Sequence, residues 1–120
     1  MVRPVRARIS PSVVLLPGTS PPASRYRPSQ ADASITLPIG LPPHPSYPSA
    51  HSCSSGAWTH TLALAFPNER QRLEQLAEEA GLSRLYAGIH FRFDALAGLA
   101  LGRAAAERAA AANLDVVAVK

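Results

Sequence analysis

Lysine and cysteine are almost missing from this chain: Lys120 and Cys53 are the only ones. A lone cysteine excludes an internal disulfide and any paired-cysteine metal knuckle, and it says nothing about compartment. His44, His51, Cys53 and His60 do not follow a zinc-ligand spacing either. Long apolar runs are also lacking. No stretch reaches the roughly 18 apolar residues of a membrane helix, and Val13–Leu16 is too short for a signal-peptide core. The chain therefore reads as soluble, without a membrane span, and its localisation stays open. Acid is scarce in one half only. Residues 1–50 hold five arginines against Asp32, whereas residues 51–120 hold seven basic and seven acidic groups. The net charge of +4 thus belongs to the first half. A nucleic-acid-binding face would be basic throughout, so no nucleic-acid partner is expected.

A length of 120 residues allows one domain. Eleven of the twelve prolines lie at or before Pro48, so the two halves differ in kind. Residues 1–43 read as an extended or disordered basic leader, too often broken by proline for a helix. Their acid-poor, arginine- and serine-rich start fits a transit peptide or, more simply, a floppy leader. Residues 44–113 read as helical, and 114–120 as a tail, with "LDVVAVK" a short strand or a loose end. The expected fold class is all-α, a partial helical bundle. One helix spans about 49–66 and ends before Pro67. A second begins at Asn68 and stops at Gly81. A third covers about 92–113, where Phe93, Leu96, Ala97 and Ala100 make an apolar stripe widened by Leu99 and Leu101. Trp58 and Phe66 are expected in the core, and His44 and His60 outside any site. So small a core is marginal alone. It implies a homo-oligomer, missing N-terminal helices, or a truncated piece of a larger domain.

Two stretches carry chemistry. "PSAH", Pro48 to His51, opens the first helix, whose unpaired N–H groups suit an anion. Ser49 adds a hydroxyl and His51 a titratable ring; ordinary helix capping explains the same residues. "SRLYAGIHFRFD" places His90 and Asp94 four residues apart, so one helical turn would set them on one face. A carboxylate on one ring nitrogen fixes the tautomer and frees the other nitrogen as a nucleophile or ligand. Arg84 offers a forked cation for an oxyanion. A surface His–Asp pair beside a solvated arginine is the plain alternative.

Together, "PSAH", 31 intervening residues, and "SRLYAGIHFRFD" resemble the second and third signature motifs of the type 2 phosphatidic acid phosphatase / vanadium-dependent haloperoxidase superfamily. Ser83, Arg84, His90 and Asp94 match every fixed position of the third motif. "PPHPSYPSAH" and "SRLYAGIHFRFDA" look more like the soluble haloperoxidase branch. The resemblance covers about residues 42–112. It implies a helical oxyanion site in which His90 attacks phosphorus or bonds to vanadium and Asp94 orients His90. Arg84, Ser49 and the Ala50 amide would hold the oxygens, with His51 as acid–base on the far side. The implied cofactor is vanadate for a haloperoxidase, acting on halide and peroxide, and none for a phosphatase, acting on a phosphomonoester through a phosphohistidine. By motif detail the resemblance leans to the haloperoxidase. The alternatives are a soluble acid phosphatase and an inactive fragment or helical interaction remnant.

The family's first motif is a lysine, six residues, then Arg-Pro. Arg27-Pro28 supplies the second part, in sequence without helical pattern, but the lysine position is Ser20. In haloperoxidases that lysine also polarises peroxide, so its loss weighs most against halide chemistry. Ala50 replaces the usual glycine and keeps its backbone N–H.

Overall fold

The computed structural model describes residues 26–112. Val13–Leu16, Ser20, Asn113 and the tail lie outside the described residues. Within them the fold is all-α. The helices are α1 (Pro28–Ala31), α2 (Ala50–Ala65), α3 (Arg70–Tyr86) and α4 (Arg92–Ala111), with a 3₁₀ turn at Pro67–Glu69 between α2 and α3. Helix α1 falls in the stretch expected to be extended. Arg27 is its N-cap, and the Gln30 side chain accepts the Arg27 N–H at 2.8 Å. Helix α2 begins where the Ser49 hydroxyl accepts the Ser52 N–H, and it ends at Ala65 because Phe66 precedes proline.

The second helix does not stop at Gly81. Gly81 is buried where an added Cβ would lie 3.6–3.7 Å from Leu99, Ser52 and Ala95, so it is an interior packing position. The stop is Gly88, at φ +71°. Its N–H bonds the Leu85 carbonyl at 2.9 Å and the Ile89 N–H bonds the Arg84 carbonyl at 3.3 Å. That pair is a Schellman motif, and it needs a residue at ease in the left-handed region. Ile35 and Leu37 lie over this turn, leaving no room for a Cβ. The chain reverses there and delivers Ile89 and His90 to the interior.

The buried stripe of α4 is Asp94, Ala95, Gly98, Gly102 and Ala106, not the larger residues expected. Leu96 is 58% exposed, and Phe93 and Leu101 also face outward. The reason is backbone proximity. A Cβ on Gly98 would collide with the Ser49 carbonyl oxygen, and one on Gly102 with that of Cys53. A Cβ on Gly56 would lie 2.7 Å from the Leu99 carbonyl oxygen. The backbones of α2 and α4 thus touch along a strip of small residues, running in the same direction. A fourth tie joins their first turns, where the Ser49 N–H donates to the Asp94 carbonyl at 2.9 Å. Trp58 (70% exposed) and Phe66 lie on the surface rather than in the core, because α2 meets α4 through glycine, alanine and serine. None of the described helices is long and apolar enough to cross a membrane.

Candidate active site

Because α2 and α4 run alike, their N-terminal ends lie side by side, and unpaired N–H groups give that end of the fold positive potential. The residues of the sequence motifs gather there from five places. Arg27 comes from the start of α1, Ser49 and His51 from the start of α2, Arg84 from the end of α3, His90 from the turn, and Asp94 from the first turn of α4. His90 lies before α4, so His90 and Asp94 do not meet across a helical turn. Asp94 sits at the third position of α4 and caps it, accepting the Phe91 N–H at 3.0 Å. That cap turns the carboxylate back toward the ring two residues before the helix.

His90 is 3% exposed and Asp94 fully buried. The His90 Nδ1 lies 3.4 Å from Asp94 Oδ2. On the other side of the ring, Nε2 lies 3.3 Å from Arg27 Nη1. A guanidinium has donors only, so in this contact Nε2 accepts and Nδ1 carries the ring proton. The tautomer is fixed from both sides, with the Nε2 lone pair directed toward the cationic face. Such a nitrogen is a nucleophile with its proton already out of the way.

Arg27, 3% exposed, is itself built in. Its Nη1 donates to the Ile89 carbonyl at 2.7 Å and its Nη2 to the His44 carbonyl at 2.7 Å. Burial pushes its pKa below the ordinary arginine value, and the nearby Asp94 carboxylate partly offsets this. The side chain remains a cation. A buried guanidinium beside a histidine lone pair suits an oxyanion that displaces their mutual contact and takes the guanidinium's donors.

The Ser49 hydroxyl is fully buried and engaged within the cap of α2, accepting from the Ser52 N–H at 3.3 Å and the Ser52 hydroxyl at 3.1 Å. Its own proton is left to donate. Ala50 is the first residue of α2 and is exposed. His51 is largely exposed at the same end; partial burial of its ring lowers its pKa from 6.5, and nearby Arg84, His90 and His44 lower it further. His51 thus lies within electrostatic range of Arg84 and His90. Arg84 is half-buried, held through its Nε to the Ser83 hydroxyl at 2.9 Å, with its remaining N–H groups available for an oxyanion.

Two features escaped the sequence. Ser46, 1% exposed, donates its hydroxyl to Asp94 Oδ2 at 2.7 Å, and the Ile89 carbonyl anchors Arg27. Ser46 lies between proline and tyrosine with no periodic signal, so only its place two residues before "PSAH" hinted at it. His60, expected on the surface or in packing, is buried and lies 3.4 Å from Glu107, away from the His90 cluster. No group of three metal-ligating side chains occurs among the described residues.

A family model described as the PAP2 superfamily matches residues 5–113. Lipid A 1-phosphatase from Rhizobium etli is 40% identical over 57 residues, which is 48% of this chain and 25% of that protein. Lipid A 1-phosphatase from Rhizobium johnstonii is also 40% identical over 57 residues, 48% of this chain and 23% of that protein. The matched stretch spans about a quarter of the length of these relatives.

Proposed function

This chain belongs to the PAP2 superfamily, and on that premise we propose that its buried histidine cluster hydrolyses phosphomonoesters. The observation that carries the reading is the environment of His90, whose ring proton faces Asp94 while its lone pair faces Arg27. In the proposed reaction Nε2 attacks phosphorus, forming a P–N bond as the P–O bond to the leaving alcohol breaks. His51 gives its proton to the departing oxygen. It then takes a proton from water, which attacks the phosphohistidine and releases phosphate with Nε2 restored. Arg27, Arg84 and the first amides of α2 stabilise the charge on the equatorial oxygens. Asp94 keeps the proton on Nδ1 throughout.

The relatives bear on which chemistry the cluster serves. The sequence details leaned to a haloperoxidase; the named relatives are phosphatases, which favours phosphate removal over halide oxidation. The family lysine that would polarise peroxide is replaced by Ser20, so this chain lacks the residue halide oxidation most needs. Vanadate matches phosphate in charge and shape, so we expect it as an inhibitor held by His90, Arg27 and Arg84. The test is hydrolysis of p-nitrophenyl phosphate by the purified chain. We expect release of nitrophenol, competitive inhibition by orthovanadate, and a loss of at least about a thousandfold in His90→Ala. Hydrolysis that survives His90→Ala would reject the reading.

A further inference from the structure

We infer that Ser46 is a positioning residue for His90, the third member of a Ser46–Asp94–His90 relay rather than a bystander to a two-residue pair. The support is a triangle of three buried polar atoms. The Ser46 hydroxyl oxygen lies 2.7 Å from Asp94 Oδ2, and both atoms lie 3.4 Å from His90 Nδ1. At 3.4 Å neither contact alone is a strong N–H···O bond, since such bonds cluster near 2.9–3.0 Å. Together they give the Nδ1 proton two acceptors. The hydroxyl has one proton, which goes to Asp94 Oδ2, and lone pairs that face Nδ1.

The rest of the carboxylate strengthens the case. Oδ1 is buried with no partner among the described residues, so Asp94 is held through Oδ2 by Ser46, the Phe91 N–H and His90. Of these, Ser46 makes the shortest bond and approaches from the 42–48 loop, outside α4. Without it the carboxylate would keep only the Phe91 N–H cap and the long contact to His90, and the imidazole would keep one long bond. The ring proton would then be less firmly fixed on Nδ1. Ser46 touches neither the attacking nitrogen nor any place for substrate, so its effect reaches the reaction only through the His90 ring. Arg27, the other group that selects the tautomer, acts on Nε2 and leaves the Nδ1 side to Ser46 and Asp94.

The test compares the whole chain with Ser46→Ala and Ser46→Thr. Long-range proton–nitrogen spectra of the imidazoles report the His90 tautomer, with His90→Ala giving the assignment. The expected result is an Nδ1–H signature in the natural chain and in Ser46→Thr, and a measurable admixture of the Nε2–H tautomer in Ser46→Ala, where Arg27 and Asp94 still favour Nδ1–H. A kinetic arm, which rests on the phosphatase reading, predicts a fall in kcat of about ten- to a hundredfold in Ser46→Ala with KM within about twofold. If the chain hydrolyses nothing, that reading fails while the spectra still decide the role of Ser46. An unchanged His90 signature in Ser46→Ala would overturn the inference. Should Ser46→Ala fail to fold, the Ser46 hydroxyl proton of the natural chain decides. A slowly exchanging proton with a cross-peak to the His90 ring supports the relay, and a freely exchanging one overturns it.

Discussion

The two sides of α4 are built to different standards. Where it faces α2, glycine and alanine bring backbone against backbone, and every buried polar side-chain atom at the shared helix start except Asp94 Oδ1 has a partner among the described residues. Where it faces α3, the helices part over a groove of about 480 Å³ lined by residues such as Ala77, Leu82, Leu85, Leu96 and Leu99. There large apolar side chains stand half in water, Leu96 among them. Tight packing is thus concentrated where it holds the proposed catalytic groups in register. It is relaxed where the fold only encloses them. A site that depends on contacts of a few tenths of an ångström needs the first kind of surface, since rigid support is what preorganises a charge cradle.

Perturbations on the two sides should therefore differ in size. The largest expected effect is at the cradle. Arg27→Ala should lower kcat/KM by about a hundred- to a thousandfold, because one charge-assisted contact to the transition state is lost, and should also lower the melting temperature, since the Ile89 and His44 carbonyls lose their donor. Turnover and a melting curve on the same sample check this. Next is the seam itself. Gly98→Val would drive two methyl groups into the Ser49 carbonyl and into Ser52, whose Cβ lies 2.8 Å from an added Cβ. We expect it to lose about 1–3 kcal/mol in a denaturant titration and to lose vanadate affinity with it.

A third prediction concerns pH. His51 must be protonated to serve as an acid, and its pKa in the free protein lies below 6.5. The value of kcat/KM should then decline as pH rises through a point below 6.5, and this limb should vanish in His51→Ala. A bound phosphate would favour the charged ring, so the corresponding limb in kcat should lie higher. The smallest effect is on the loose side. Leu96→Ser should change stability by no more than about 0.5 kcal/mol and leave turnover intact. A large loss there would erase the contrast between the two faces.

Much of this was legible in the sequence, though unevenly. Three helical signals were readable from composition and proline, and Pro67 marked the end of α2, whereas the short α1 was not foreseen. Gly81 and Gly88 were not distinguishable by propensity, since one fills an interior contact and the other takes a left-handed turn, a difference only the fold creates. The same holds for α4. Hydrophobicity pointed to Phe93, Leu96 and Leu101, while the close approach of α2 selected Gly98 and Gly102. The motif residues His90, Asp94, Arg84, Ser49 and His51 were each named from pattern, and all lie at one end of the fold. Arg27 had only a weak signal, because its partners are backbone carbonyls 17 and 62 residues away. Backbone carbonyls leave no mark in a sequence. Ser46 left none for the same kind of reason, being one serine among many until Asp94 is placed against it.

The central claim is that His90 Nε2 takes the phosphoryl group, and trapping the intermediate tests it most directly. The chain would be mixed with a phosphomonoester, quenched in alkali, where phosphohistidine persists, and mapped by peptide mass spectrometry. The account predicts one added phosphoryl group on the peptide containing His90, absent from His90→Ala and accumulating in His51→Ala. Turnover with no phosphoryl group on His90, or with that group on another residue, would contradict it.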